Sequence, residues 1–491
     1  MTQEPDYYRL LGVSQDATFE EIRNAYFDAA RRLHPDVNVE PSAKEQFLVV
    51  QKAYDVISNP ARRLVYDKKQ ASQYQPEGIT VNLQYSAPSL LVLDEPQLIY
   101  CLVEILSTSE ASSENMPPLN ICLVIDRSNS MKGDRIETVK ANIIELLNRV
   151  SKHDILSIVA FSDRAEVVLP PSQVVDVSRV EQLINLVNTG GGTEIYQGLK
   201  TGVAQLELLG NASEIRHLIL LTDGHTYGDE NDCVELSRQA VQQGITISAL
   251  GIGHEWNDQF LDQIASISGG NTFYISSPRD LKKYLDQKVK AIEYVHARGV
   301  AYEFSIGPDV QLHYAFRLSP DLGPLSLSSP MVLGNLQYSR SITALLEFQV
   351  APHLLQKGLA TLAHGKIRAN IAADNRVIRH AVDLERPVST QYNLGHPPAA
   401  IVEAMSKLTL YRMQEHAKEQ LDAGDILGAT RRLQYLASNL LAGGDRELAH
   451  VVLVEAEHIK QSHRFSEDGD KRIKYGTRAL LLPDGLEQEN L

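Results

Sequence analysis

Cysteine is scarce in this sequence: there are three in 491 residues, Cys101, Cys122 and Cys233, far apart and each inside an apolar or helical stretch. Such spacing supports neither a disulfide scaffold nor a zinc cluster, so buried thiols are expected. No segment approaches the ~20 apolar residues needed to span a bilayer. The opening MTQEPDYYRL has no basic patch or apolar core of the kind a secretory leader carries, so a cytoplasmic location is expected. Basic residues are also in deficit, with 47 Lys and Arg against 62 Asp and Glu and a net charge of −15. That balance argues against nucleic acid or an anionic membrane as the main partner, because phosphate binding needs concentrated positive charge. A cationic or metal-bridged partner fits better.

What is present describes a folded chain of several domains. Hydrophobic content is 43% and charged content 22%, and the length suggests three or four domains at about 150 residues each. From Pro5 to Lys69 the pattern is helical. Thr18 precedes Glu20 and Glu21 as a helix cap, and Ile22, Tyr26, Ala29, Ala30 and Leu33 form one apolar face. Phe47, Val50, Ala53, Tyr54 and Ile57 form a second face with the spacing to pack against it. Between them lies the loop HPDVNVEP.

The stretches DYYRLLGV, EEIRNAY, His34-Pro35-Asp36 and NPARRLVYD, in this order and spacing, resemble a J-domain, the module by which Hsp40 cochaperones engage Hsp70. The resemblance implies that His34 and Asp36 contact a DnaK-type Hsp70 and stimulate its ATP hydrolysis, that Pro35 fixes the loop backbone, and that Arg23, Arg31 and Arg32 assist docking. Glu20, Glu21 and Asp28 offset those arginines, so electrostatic docking should be weaker than is usual in the family. The Cys-rich zinc region and Gly/Phe-rich linker of some Hsp40 proteins are absent, which makes the J-domain an attachment to another body.

That body alternates strand and helix from Leu119 onward, with near-continuous Ile, Leu and Val in the strands, as in a parallel sheet covered on both faces. Ligands of such sheets bind beyond the strands' carboxyl ends, at the topological switch point. Asp126, Ser128 and Ser130 leave the first strand there, Thr193 lies in TGGGTEI, and Asp223 ends LILLTD. This set resembles the von Willebrand factor A domain and its metal-ion-dependent adhesion site. The resemblance implies Mg²⁺ or Mn²⁺ held by the hydroxyls of Ser128, Ser130 and Thr193, with Asp126 and Asp223 orienting them, and a Glu or Asp from a partner protein completing the shell. Gly190 to Gly192 allow the Thr193 loop to bend close, and Asn129 stands where the family commonly has glycine. The glycine and lysine spacing of GTEIYQGLKT does not match a phosphate-binding loop, and no GxSxG elbow accompanies His225, which reads as a surface residue.

Strands recur after His296, and those between Ile79 and Leu106 are too few to be stable alone, so the two groups are expected to pair. From Pro397 the pattern is helical. The expected organisation is a J-domain (1–70), a linker (71–78), the first part of a β-sandwich (79–118), the von Willebrand A domain (119–296), the rest of the sandwich (297–390), a helical domain (397–462) and a charged tail (463–491). The fold class is multidomain: an all-α J-domain, a doubly wound, Rossmann-like α/β domain inserted in a β-sandwich, and a C-terminal helical bundle. The function these parts imply is a non-enzymatic cochaperone adaptor. Its rivals are a metal-dependent hydrolase and an assembly scaffold in which the J-domain is incidental.

Overall fold

The structure is a computed structural model that describes residues 7–11, 13, 19–33, 43–59, 62–63, 78–110, 117–148, 150–151, 153–173, 176–209, 214–226, 228–352, 358–390 and 396–480. The chain divides into two compact units, 1–76 and 77–491.

In the first unit three helices, Tyr7–Leu11, Phe19–Leu33 and Ala43–Ile57, enclose a core of Tyr7, Tyr8, Leu11, Ile22, Ala29, Val50, Ala53 and Ile57. These residues recur at three- and four-residue intervals, so each helix presents one apolar stripe. Tyr26 and Tyr54 stack across the two longer helices at 4.2 Å between ring centres, and Arg63 Nε donates to the Tyr8 hydroxyl at 2.9 Å. Thr18 and the loop His34-Pro35-Asp36 lie outside the described residues.

The second unit begins with β1 (Ile79–Tyr85), β2 (Leu90–Leu91) and β3 (Gln97–Ser107). An α/β layer follows, with β4 (Leu119–Asp126), β5 (Ile155–Phe161), β6 (Ala165–Gln173), β7 (Ile215–Thr222), β8 (Ile245–Ile252) and β9 (Thr272–Ile275). The chain then forms β10 (Val295–Ile306), β11 (Val310–Ser319), β12 (Gly323–Pro324), β13 (Met331–Gln337), β14 (Ile342–Val350), β15 (Leu359–Ile371) and β16 (Val377–Ser389).

The α/β sheet has the order β6-β5-β4-β7-β8-β9 and is parallel except for β6, which runs antiparallel to β5. Every residue of β4 and of β8 is buried, because helices cover both faces. Strand order reverses at β4, between β5 and β7, and the register sets Ile125 beside Leu221. The carboxyl ends of β4 and β7 are therefore neighbours at the switch point.

Two five-stranded sheets, β1-β3-β14-β11-β12 and β13-β10-β15-β16-β2, form a sandwich. β3 pairs with β14, Ile105 opposite Ile342, so strands laid down before the α/β layer are completed by strands made after it. Alternation sorts the side chains of β3: Ile99, Cys101, Val103 and Ile105 enter the sandwich core, while Leu102 points the other way. On that outer face Leu102, Phe316, Leu318 and Leu345 pack beneath Ile401, Ala404, Leu408 and Tyr411 of the helix Ala399–Asp422. Sandwich and α/β layer are joined by buried Arg317, which donates from Nη1 to the carbonyls of Gly269 at 2.7 Å and Leu333 at 2.8 Å, and from Nε to Asp321 O at 2.7 Å. Cys101, Cys122 and Cys233 are all buried and free, and burial pushes the first two thiols up to about 12.

The C-terminal part differs from the sequence expectation in one respect. Helices Ile426–Gly443 and Arg446–Ser462 follow the first, but the segment read as a charged tail contains a further helix, Gly469–Ala479, packed into the molecule. Lys471, Lys474, Thr477 and Arg478 are buried on it. Arg472 faces water, and Lys471 lies over the Trp256 ring and donates to the His254 carbonyl, but the other buried charges are met by carboxylates. Lys474 pairs with Asp258 and, at 3.0 Å, with Asp262; Arg478 Nη1 reaches Asp262 Oδ1 at 2.9 Å; Lys418 reaches Asp470 at 2.9 Å. No helix among the described residues is long and apolar enough to cross a membrane.

Candidate metal centre

β4 ends its apolar run Ile121–Ile125 in a buried aspartate, and the chain then turns through a short 3-10 segment, Asn129–Met131. Asp126 is 0% exposed, and both of its oxygens are engaged. Oδ1 accepts from the Ser128 backbone N–H at 2.8 Å, and Oδ2 accepts from the Thr222 hydroxyl at 2.6 Å. Burial pushes its carboxyl up to about 6, although the hydrogen bonds from Thr222 and Ser128 pull the other way. Asp126 is in this way a fixed, costly negative charge that pairs with no cation among the described residues.

The hydroxyls are strung together. Ser128 Oγ lies 2.9 Å from Ser130 Oγ, and Ser130 Oγ donates to Asp223 Oδ1 at 2.7 Å. With its proton committed to Asp223, Ser130 accepts from Ser128. Ser128 is buried, whereas Ser130 and Asn129 are exposed, so the cluster opens to solvent through Ser130. Thr193 joins from another loop: a methyl added to Gly224 would lie 3.4 Å from Thr193 Oγ1 and 3.9 Å from Ser130 Oγ.

Several partners hold the Thr193 loop in place. Gly191, at φ +89°, offers its carbonyl to Asn129 N at 3.2 Å, and a side chain there would come within 2.5 Å of Asp163 Oδ2. Asp163 Oδ1 accepts from Gly192 N at 2.7 Å. Beyond it, Thr226 Oγ1 accepts from Ile195 N at 3.2 Å and donates to Asp229, whose other oxygen accepts from Tyr196 N at 2.8 Å.

The five positions singled out in the sequence, Asp126, Ser128, Ser130, Thr193 and Asp223, thus meet at the carboxyl ends of β4 and β7. Asn129 keeps an ordinary backbone there and needs no glycine's freedom, since it is absent from the residues with positive φ. His225 is exposed, and no hydrogen bond among the described residues ties it to Ser128 or Ser130. Of the docking arginines, Arg23 and Arg31 are exposed on their helix, while the Arg32 side chain and the His34-Pro35-Asp36 loop lie outside the described residues.

Sequence reasoning missed Thr222, Asp163 and above all Arg135. Arg135 Nη1 donates to Asp223 Oδ2, to Ser130 O at 3.3 Å and to Glu255 Oε2 at 3.4 Å, and its side chain is 31% exposed. Burial works against its charge, but the hydrogen bond and attraction from Asp223 raise it above the ordinary arginine value. Nine residues separate Arg135 from Asp126, a spacing with no local signature. The cluster therefore has two fully buried carboxylates and one arginine, leaving one negative charge uncompensated. Three hydroxyls and two carboxylates are hard oxygen donors of the kind a small divalent cation takes. No set of three His, Cys, Asp or Glu side chains among the described residues converges to hold a metal, so hydroxyl donors are essential to any such site.

Comparison with known proteins agrees with this division of the chain. Residues 6–67 match the DnaJ domain family, residues 120–287 the von Willebrand factor type A domain, and residues 399–483 the Sll0103-like, C-terminal alpha-helical domain. The uncharacterized protein sll0103 of Synechocystis is 29% identical over 386 residues, covering 76% of this chain and 90% of the relative. Chaperone protein DnaJ of Trichormus variabilis is 48% identical over 75 residues, 15% of this chain; the match spans 19% of that protein's length. Among solved structures, a von Willebrand factor type A protein from Catenulispora acidiphila shares the fold with a TM-score of 0.63 at 15% identity, covering 82% of this chain and 96% of its own. The ArnB paralog VWA2 from Sulfolobus acidocaldarius does so with a TM-score of 0.53 at 14% identity, over 82% of this chain and 99% of its own.

Proposed function

Starting from a chain that joins a DnaJ domain to a von Willebrand factor type A domain, we propose that it is a cochaperone adaptor. Its J-domain recruits a DnaK-type Hsp70 through His34, Pro35 and Asp36, with help from Arg23, Arg31 and Arg32. Its α/β domain grips a protein partner at the exits of β4 and β7. Asp126, Ser128, Ser130, Thr193 and Asp223 would hold Mg²⁺ or Mn²⁺ there. When the cation is bound, the chemistry it supplies is an open position for a Glu or Asp carboxylate of the partner.

The observation that carries this reading is the chain of Ser128 and Ser130 hydroxyls running to buried Asp223, with buried Asp126 and the Thr193 hydroxyl beside it at the switch point and a charge deficit that one partly exposed arginine leaves in place. The protein's own residues set the geometry. Thr222 and the Ser128 N–H fix Asp126, Asp223 orients Ser130, and the Asp163 and Asp229 braces hold Thr193 against the pair. Exposed Ser130 leaves room for an incoming side chain. Ser130 donates to Asp223, but Arg135 engages the other oxygen of that carboxylate and makes it a poor base, so a binding role is favoured over hydrolysis.

Two measurements on the full chain test the reading. Magnesium should raise the melting temperature of the wild type but not of Ser128→Ala, and an equal response in both, or none in either, counts against the metal site. Hsp70 ATP turnover should rise with the wild type and not with His34→Gln. A wild type that leaves turnover unchanged, yet responds to magnesium, makes the chain an assembly scaffold instead.

A further inference from the structure

A cavity of about 550 Å³ lies where β9, the helix Pro278–Glu293, the sandwich turns at 320–322 and 337–340, and the C-terminal helix meet. It shares no residue with the cluster at the strand exits. Its volume falls within the range of small-molecule sites, and much of its wall is aromatic. Phe273 and Tyr284 lie 4.3 Å apart between ring centres, and Tyr274 and Tyr475 lie 5.9 Å apart. Tyr294, 42% exposed, stands among the lining residues as well.

The polar groups of the lining point to one charge type. Its ionisable side chains are Lys288, Lys290, Arg340 and Arg478 against Asp321, tyrosines aside. Lys288 is spent on Asp321 at 2.6 Å, and Arg478 is spent on Asp262. Lys290 and Arg340 are exposed and form no ion pair with a described residue. Free positive charge at an aromatic cavity is unexpected in a chain whose net charge is −15.

We propose that this cavity binds a small organic anion with an aromatic or aliphatic body, its apolar part among the tyrosines and its acidic head held by Lys290 and Arg340. Because the walls come from the α/β layer, the sandwich and the C-terminal helix, the bound anion ties the three together and stabilises the folded chain by mass action. This inference does not rest on the metal site.

The full chain is titrated with 8-anilinonaphthalene-1-sulfonate, and in parallel with N-phenyl-1-naphthylamine, which has the same rings without the sulfonate. Fluorescence and melting temperature are both read. The sulfonate should saturate a single site, raise the melting temperature and bind at least tenfold more tightly than the neutral amine, with no change in EDTA. Lys290→Ala combined with Arg340→Ala should weaken it at least tenfold while the unliganded melting temperature holds. Ala291→Trp, which fills the cavity, should abolish saturable binding without touching the charges. Equal binding of the two probes, an unchanged double variant, or binding that never saturates overturns the proposal. Binding that appears only after deletion of 481–491 also overturns it, in favour of the chain's own acidic end as occupant.

Discussion

Two of the places where the molecule buries aspartates treat them oppositely. At the C-terminal helix, Asp258 and Asp262 meet Lys474, Arg478 and Lys418, so every carboxylate has a cation in contact. Burial alone raises the Asp262 carboxyl, but Arg478 and Lys474 overcome it and hold the group below the usual carboxylate range. At the exits of β4 and β7, Asp126 is as deeply buried yet has only hydrogen-bond donors, and its carboxyl is pushed up to about 6. A compensated charge serves as a clasp. An uncompensated one is open to a cation, as the proposed metal site requires, and perturbed groups of the second kind point to function.

The contrast is tested first where the effect is largest. Asp262→Asn strands Arg478 inside the protein and leaves Lys474 with Asp258 alone, and should cost about 3–5 kcal/mol of unfolding free energy, read by urea denaturation. Adding Arg478→Met and Lys474→Met to it should recover much of that loss. At the other site Asp126→Asn should behave in the reverse sense. Holding that carboxylate ionised disfavours the fold at pH 7, so the neutral amide should stabilise the metal-free protein by about 1–3 kcal/mol. The same change should remove the melting shift induced by magnesium.

Acid separates the two regions as well. Asp258 and Asp262 have folded pKa values below the unfolded value of about 3.9, so their contribution is complete above that pH and lost as pH falls through the folded values. Between pH 5 and pH 2 the wild type should lose stability more steeply than the triple variant. The smallest effect is expected at Glu255, 56% exposed and 3.4 Å from Arg135: Glu255→Gln should change stability by under about 1 kcal/mol.

What the sequence reveals follows from how local each signal is. Asp126, Ser128 and Ser130 stand two apart at the end of an apolar run, so their convergence is legible before any fold is known. Thr193 and Asp223 become legible once the alternating elements place them at the same sheet edge. The apolar stripes of Ile22, Ala29, Val50 and Ala53 identify the helices of the first unit in the same way. The helix Gly469–Ala479 is only faintly legible, because GDKRIKYGTRA has the composition of a solvated segment and only the apolar end of YGTRALLLP suggests an anchor. Its burial depends on Asp258 and Asp262, more than two hundred residues earlier, which look like ordinary acids near a helix start. Arg135 was missed for a related reason: its partner Asp223 lies 88 residues away, just past the carboxyl end of β7.

The pairing of β3 with β14 also has a consequence on the ribosome. Ile105 must wait for Ile342, and at roughly 5–20 residues added per second the interval is on the order of tens of seconds. During it β1 and β3 form at most a two-stranded ribbon with an apolar face uncovered, the kind of surface that aggregates and that Hsp70 chaperones intercept. The J-domain segment, completed first, has already emerged by then. If the J-domain recruits Hsp70 as proposed, a chain built in this order brings that chaperone to its own nascent strands, whatever partner it later serves.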